Sequence, residues 1–154
     1  MTKPDTGDAA PQFTLPTDGG GEFTLSSAND SKIVIFFYPK DDTSGCTAEA
    51  IDFTAAKEKF AALDVIIIGM SPDPVKKHDK FKAKHELDVI LVSDEEKATL
   101  SAYGVWVEKS MYGRKYMGVE RSTFLIGKDG KIIRSWRKVK VPGHVDEVLV
   151  AISE

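Results

Sequence analysis

Cysteine is nearly absent from this sequence. Cys46 is the only one among 154 residues, so the chain cannot form an internal disulfide. A lone thiol is typical of proteins in reducing compartments, where disulfides do not persist. We therefore expect a cytoplasmic protein whose stability does not depend on disulfide bonds.

Long apolar runs and an excess of one charge are also missing. The longest apolar segments have the length of a strand, which argues against a membrane-spanning helix. A net charge of −3 with interspersed signs offers no basic face for nucleic acid. Residues 1–8 are polar and include no apolar targeting segment. With 42% hydrophobic residues, the chain is expected to fold as one domain, 1–154, around a substantial core.

The segments that are present alternate between strand-like and helix-like patterns. Residues 32–38 are continuous, β-branched and aromatic, which predicts a strand buried on both faces. Other predicted strands are 65–70, 89–92, 122–126 and 132–136. Predicted helices are one capped at residues 43–45 and ending near residue 63, then 74–85, 94–103 and a last one after Gly143. This alternation predicts an α/β fold with a parallel core and a terminal antiparallel hairpin.

The remaining segments are glycine-rich. Residues 13–15 and 22–25 flank three consecutive glycines and predict a small N-terminal hairpin. Residues 108–119 are basic and interrupted by glycine, and we expect a loop that extends partly into the next strand. Asp73 is expected to cap the helix that begins at Pro74, and Asp94 to open the following helix.

Cys46 falls where the first buried strand gives way to a helix, in the first helical turn. Unpaired backbone N–H groups and the positive end of the helix dipole favour a thiolate there over a thiol. The position therefore suits a nucleophile. A lone cysteine is more often a small, inert core residue, and position alone leaves both interpretations open.

The neighbours of Cys46 favour the nucleophile. Pro39, Thr43 and Cys46 stand in the order Pro-x3-Thr-x2-Cys, which resembles the active-site signature of the peroxiredoxins. The longer string Tyr-Pro-Lys-Asp-Asp-Thr-x-Gly-Cys-Thr-x-Glu-Ala resembles the bacterioferritin comigratory protein, or Q-type, branch. Further matching segments extend the resemblance over nearly the whole chain: 7–16, 71–73, 93–94, 103–106 and 121–126.

This resemblance implies a thioredoxin-like fold, a central mixed sheet flanked by helices with an N-terminal β-hairpin extension. It implies a thiol-dependent peroxidase for hydrogen peroxide and alkyl hydroperoxides, without cofactor or metal. Cys46 would be the peroxidatic nucleophile, Thr43 would offer its hydroxyl, Arg121 would stabilise the thiolate and bind peroxide oxygen, and Pro39 would shield the sulfur. Without the motif, Thr43 reads as a helix cap, Arg121 as a surface arginine and Pro39 as the end of a strand.

The sequence departs from the resembled branch at Ile51. Many members carry a resolving cysteine five positions after the first, and others carry it in the next helix, but residues 75–85 also contain none. The sulfenic acid of Cys46 must then be reduced by an external thiol: glutathione, a glutaredoxin, a thioredoxin or Cys46 of another chain. Ser44, where proline is frequent, is a second departure and is expected to change little.

The sequence alone leaves two rival functions open. Oxidised Cys46 could pass its oxidation to a partner thiol, as in a peroxide sensor or relay, or the fold could be a holdase with an idle cysteine. The resemblance implies a monomer or a weak dimer. The histidines at 78, 85 and 144 are expected to be exposed or capping residues, and Arg114 and Lys115 to be solvated or to guide an anionic reductant or peroxide.

Overall fold

The computed structural model describes residues 3–28 and 30–153. Within these residues the chain forms nine strands and five α-helices. In chain order they are β1 (Thr14–Pro16), β2 (Glu22–Thr24), β3 (Lys32–Phe37), α1 (Ser44–Ala55), α2 (Lys57–Ala62), β4 (Val65–Ser71), α3 (Val75–His85), β5 (Ile90–Ser93), α4 (Ala98–Ala102), β6 (Trp106–Met111), β7 (Arg114–Val119), β8 (Ser122–Ile126), β9 (Ile132–Trp136) and α5 (His144–Ser153).

The central sheet has five strands in the order β5-β4-β3-β8-β9. Strand β3 pairs parallel with β4 and β4 parallel with β5, whereas β8 pairs antiparallel with both β3 and β9. Strands β1 and β2 form the separate N-terminal hairpin. The predicted mixed sheet and the hairpin extension are therefore confirmed.

Strand β3 divides the core into two clusters. Val34 and Phe36 pack with residues of α1, α2, α3 and α5, whereas Ile33, Ile35 and Phe37 pack with residues of α4 and the N-terminal segment. Alternate side chains of a strand point to opposite faces, and all five of these are buried. Strand β3 is thus covered on both faces, as its uninterrupted apolar sequence predicts.

Three predicted elements differ from the structure. The helix containing Cys46, predicted to run unbroken to about residue 63, is interrupted at Ala56, where α2 follows. Pro74, not Asp73, is the N-cap residue of α3, because the Asp73 carboxylate is used in a buried hydrogen-bond network. Helix α4 is only five residues long, because Lys97 before it has φ +64° and cannot continue a helix.

The prediction of a loop at residues 108–119 is wrong. Strands β6 and β7 pair antiparallel over six residues each. Tyr112 and Gly113 both have positive φ, +53° and +76°, which is the conformation of a two-residue type I′ turn. Tyr-Gly is a weaker hairpin signal than Asn-Gly, so the turn is not evident from sequence. In the described part of the chain, no helix has the length and apolar character to cross a bilayer.

Candidate active site

Cys46 lies in the first turn of α1, just beyond the carboxyl end of β3. The chain turns between them at Asp42, whose φ is +62°. The first helical hydrogen bond runs from Thr47 N–H to the Thr43 carbonyl, 2.8 Å, so the backbone N–H groups of residues 44–46 are those that a helix start leaves unpaired. Cys46 itself is 1% exposed. The predicted position of Cys46 in the first turn is confirmed.

Arg121 contacts the sulfur directly. It immediately precedes β8, whose antiparallel register pairs Ser122 with Phe37, the last residue of β3. This pairing brings the guanidinium to the start of α1, where Nη2 lies 3.3 Å from Cys46 Sγ. Gly45 leaves the necessary space, because a Cβ there would lie 3.1 Å from Nη2. Burial opposes the charged form of Arg121, but the negative charges of Cys46 and Glu49 outweigh it and raise its pKa.

Glu49 is a site residue that sequence reasoning missed. Its Oε1 accepts a hydrogen bond from Arg121 Nη1 at 2.8 Å, so the guanidinium bridges Cys46 and Glu49. The carboxyl is fully buried, and its Oε2 has no partner among the described residues. Burial raises the pKa of Glu49 to about 7 against the opposing charge of Arg121. Glu49 is spaced i,i+3 from Cys46, which places both residues on one helix face. This spacing is the sequence signal that could have identified Glu49.

The raised pKa of Glu49 predicts a specific pH dependence of stability. Between about pH 4.5 and 7 the folded state keeps the proton that the unfolded state has lost, so the free energy of unfolding falls as pH rises. The expected loss is on the order of 3 kcal/mol across this window. Glu49→Gln keeps the acceptor for Arg121 but cannot ionise. Urea unfolding at several pH values should show that the free energy of unfolding depends less on pH in the variant. The same pH dependence in both proteins would mean that Glu49 does not retain its proton in the folded state.

Thr43 and Pro39 lie on the turn that leads into α1. Thr43 is the N-cap residue by its backbone conformation, but its side chain makes no capping hydrogen bond; Oγ1 instead donates to the Lys40 carbonyl at 2.9 Å. Pro39 is half-buried directly after Tyr38. The structure therefore brings Cys46 and Arg121 into contact and leaves the roles of Thr43 and Pro39 in catalysis as predictions.

A buried polar network anchors this turn to the rest of the fold. Asp41 accepts hydrogen bonds from Tyr38 Oη and from His78 Nδ1, both at 2.6 Å, and its own N–H donates to Asp73 at 2.8 Å. His78 Nε2 bonds the Val92 carbonyl at 3.0 Å. A carbonyl only accepts, so Nε2 carries a proton, and a second proton on Nδ1 would be donated to Asp41. Burial lowers the pKa of His78, but the hydrogen bond and charge of Asp41 raise it above its usual value.

The prediction of exposed or capping histidines is wrong for two of the three. His78 is fully buried in the network, and His144 is buried with Nε2 2.8 Å from Thr123 Oγ1. His85 bonds the exposed carboxylate of Asp42. Asp41, Asp73 and His78 also hold three potential metal-ligand atoms within 4.8 Å of one another, but both nitrogens of His78 are already hydrogen-bonded. Internal hydrogen bonding accounts for this cluster.

The arrangement around Cys46 suits attack on a small electrophilic oxygen. A thiolate at a helix start is stabilised by unpaired N–H groups, and here a guanidinium lies beside it. The same donors can hold a peroxide oxygen and stabilise the negative charge that develops on the leaving oxygen.

Comparison with known proteins assigns the chain to a family. Residues 6–135 match the model of the AhpC/TSA family. The chain belongs to this family. It is 49% identical over 150 residues to peroxiredoxin Bcp of Bacillus subtilis, a match that covers 97% of this chain and 96% of that protein. This agrees with the resemblance seen in the Cys46 motif.

Solved structures of Bcp and Q-type proteins have the same fold. The bacterioferritin comigratory protein of Xanthomonas campestris, described for its alkyl peroxide reduction activity, superposes with a TM-score of 0.88 at 45% identity, covering 92% of this chain and 90% of that one. A mutant of PrxQ from Xylella fastidiosa superposes with a TM-score of 0.94 at 38% identity, covering 99% and 98%. The predicted thioredoxin-like peroxiredoxin fold is confirmed.

Within this family the peroxiredoxin described here has a single cysteine. Ile51, five residues after Cys46, lies on α1 and is 43% exposed. A side chain at this position therefore meets solvent, and isoleucine offers no sulfur to an oxidised Cys46.

Proposed function

We propose that this peroxiredoxin is a thiol-dependent peroxidase that reduces hydrogen peroxide and organic hydroperoxides through Cys46 alone. The observation that carries the proposal is the 3.3 Å contact between Arg121 Nη2 and the Cys46 sulfur at the start of a helix. The alkyl peroxide reduction activity described for the Xanthomonas campestris relative supports the same substrate class.

The oxidative step begins with attack of the Cys46 thiolate on one peroxide oxygen. An S–O bond forms as the O–O bond breaks, and the second oxygen leaves as hydroxide or alkoxide and takes a proton to become water or an alcohol. Arg121 stabilises the negative charge on both sulfur and leaving oxygen, and Thr43 offers its hydroxyl to the peroxide. Pro39 limits access of water to the sulfur. The product is the Cys46 sulfenic acid.

The reductive step uses two external thiols. The first condenses with the sulfenic acid, releasing water and leaving a mixed disulfide on Cys46. The second attacks this disulfide, so that Cys46 returns to the thiol and the external thiol leaves as its own disulfide. Glutathione, a glutaredoxin or a thioredoxin would supply these thiols in the reducing cytoplasm, and we propose that the protein works there as a monomer or weak dimer.

A sensor or relay is the second candidate, and the single cysteine favours it. In that case oxidised Cys46 would pass its oxidation to one partner protein and would not be turned over by general reductants.

A reductant panel distinguishes the two functions. We expect purified protein to consume many equivalents of hydrogen peroxide with dithiothreitol, with glutathione plus glutaredoxin, or with thioredoxin, and to consume none after its thiol is blocked with iodoacetamide. Mass spectrometry without reductant should show Cys46 as a sulfenic acid or mixed disulfide after one equivalent of peroxide. Consumption of a single equivalent with every reductant would instead indicate the sensor, and an unchanged thiol would contradict both.

A further inference from the structure

The hairpin formed by β6 and β7 has two different faces. Cross-strand partners share a face, and successive residues alternate between faces. The pairs Val107–Gly118, Lys109–Tyr116 and Met111–Arg114 therefore form one face, which we call the cationic face. The pairs Trp106–Val119, Glu108–Met117 and Ser110–Lys115 form the other.

The cationic face begins next to the active site. Lys109 is half-buried, and its pKa is lowered by burial and by the charge of Arg121, while the charges of Cys46 and Glu120 oppose the shift. The end of its side chain lies over Gly118, with Cε 3.6 Å from the place of a Cβ there, and Gly118 is three residues before Arg121. A Cβ at Gly118 would lie 3.3 Å from Lys109 Cδ, so glycine lets this side chain cross the hairpin.

The outer part of the cationic face is an open groove of small-molecule size. Met111, Tyr112, Arg114 and Tyr116 line a cavity of about 400 Å³, within the range of sites that bind small ligands. Met111 is 57% exposed and Tyr116 is 42% exposed. Arg114 is two residues further along the hairpin than Lys109, which is about 7 Å.

The charges on the two faces are also different. On the opposite face Lys115 pairs with Glu108 at 3.7 Å. Among residues 3–28 and 30–153, neither Lys109 nor Arg114 lies within ion-pair distance of a carboxylate. Lys109 and Arg114 thus lie on one face of the hairpin that leads to Arg121, together with Met111 and Tyr116.

We propose that the cationic face binds the reductant, a small thiol that carries carboxylates, and directs its sulfur to the sulfenic acid of Cys46. This inference rests on the proposed function, in which an external thiol must reach a sulfur that is almost completely buried. A thiol tripeptide spans about 10 Å when extended, enough for its two terminal carboxylates to reach Arg114 and Lys109, with the sulfur on the central residue between them. Its condensation with the Cys46 sulfenic acid forms the S–S bond and releases water, and a second thiol molecule completes the reduction.

Charge reversal on the two faces tests the proposal, with glutathione as the probe and 2-mercaptoethanol as a neutral thiol. The protein is first oxidised by one equivalent of peroxide, and the rate of sulfenic acid loss is then measured with each thiol at low and high salt. We expect Arg114→Glu to slow reduction by glutathione roughly tenfold at low salt, with a much smaller effect at high salt, because surface charges steer anionic ligands and salt screens them. Reduction by 2-mercaptoethanol should stay within twofold of the unmodified protein.

Lys115→Glu is the matched control, because it reverses a charge next in sequence but on the opposite face. We expect its rate with glutathione to stay within about twofold of that of the unmodified protein, because its side chain lies on the other side of the hairpin from the bound thiol. Equal effects of the two substitutions, or a glutathione rate independent of salt, would overturn the proposal, as would efficient reduction by a protein thiol alone. These outcomes differ from failure of the proposed function, in which peroxide would not oxidise Cys46 in the first place.

Discussion

The Arg121→Gln variant is expected to react with hydrogen peroxide about 100- to 1000-fold more slowly at pH 7, the effect typical of removing one donor to a developing oxyanion. The guanidinium lies 3.3 Å from the sulfur and 2.8 Å from the Glu49 carboxylate. Its loss removes both the cation that stabilises the thiolate and a donor for the leaving oxygen. Stopped-flow measurement of the single oxidative step would give the rate without the contribution of the reductant.

Two controls make this test specific. Cys46→Ser fixes the background rate, because no sulfur remains to be oxidised. Arg137→Gln changes another partly buried arginine, whose guanidinium bonds the Pro4 and Tyr103 carbonyls, and should leave the rate within about threefold. Arg121→Gln also removes the partner of the buried Glu49 carboxyl. The double variant Glu49→Gln/Arg121→Gln, in which no carboxyl is left without its partner, is therefore measured as well. If either Arg121 variant retained the original rate, the guanidinium would have no role in catalysis.

The reactivity of the sulfur can be followed by its rate of alkylation at pH 7. Iodoacetamide reacts with the thiolate form, and replacement of Arg121 should slow the reaction because the cation beside the sulfur is lost. Replacement of Arg137 should not. This readout separates loss of the charged sulfur from a general loss of folding.

The local features of the site could be predicted from sequence. The strand that ends at Phe37, the turn after it and the place of Cys46 in the first helical turn all follow from patterns within about 20 residues. Arg121 could be assigned only through the resemblance to the peroxiredoxins. It meets Cys46 across 75 positions because β8 pairs with β3 in one particular register, and no local pattern specifies that register.

Features that depend on tertiary contacts were missed. His78 and His85 are spaced too widely for a pair of zinc ligands, which favoured exposed or capping histidines. Yet His78 and Phe81 are spaced i,i+3 and are both buried, and this spacing was an available signal. The partners of Asp41 are 32 and 37 positions away, so its burial as an ion pair could not be derived. The β6–β7 hairpin was missed because its turn sequence, Tyr112–Gly113, is an uncommon one.

The Asp41→Asn variant is expected to lose about 3 kcal/mol of stability, because removing one partner of a buried ion pair leaves the other without compensation. His78 and Asp41 are both almost completely buried and lie 2.6 Å apart. Tyr38 Oη would also lose its charged acceptor. Urea unfolding at pH 6 would measure the difference from the unmodified protein.

The pH dependence of the stability lost in Asp41→Asn shows whether the loss comes from the Asp41–His78 pair. Because the pKa of His78 is raised in the folded state, its stabilising contribution is complete below about pH 6.5 and is lost as pH rises through the folded-state value. The gap between the unmodified protein and Asp41→Asn should therefore narrow between pH 6 and pH 9. Asp42→Asn, at the next position, is the control: its partners Lys84 and His85 are exposed or partly exposed, and it should cost far less stability than Asp41→Asn. Two outcomes would mean that the buried Asp41–His78 pair does not hold the turn before Cys46 in place. One is an equal loss of stability in Asp41→Asn and Asp42→Asn, and the other is a stability difference between the unmodified protein and Asp41→Asn that widens with pH.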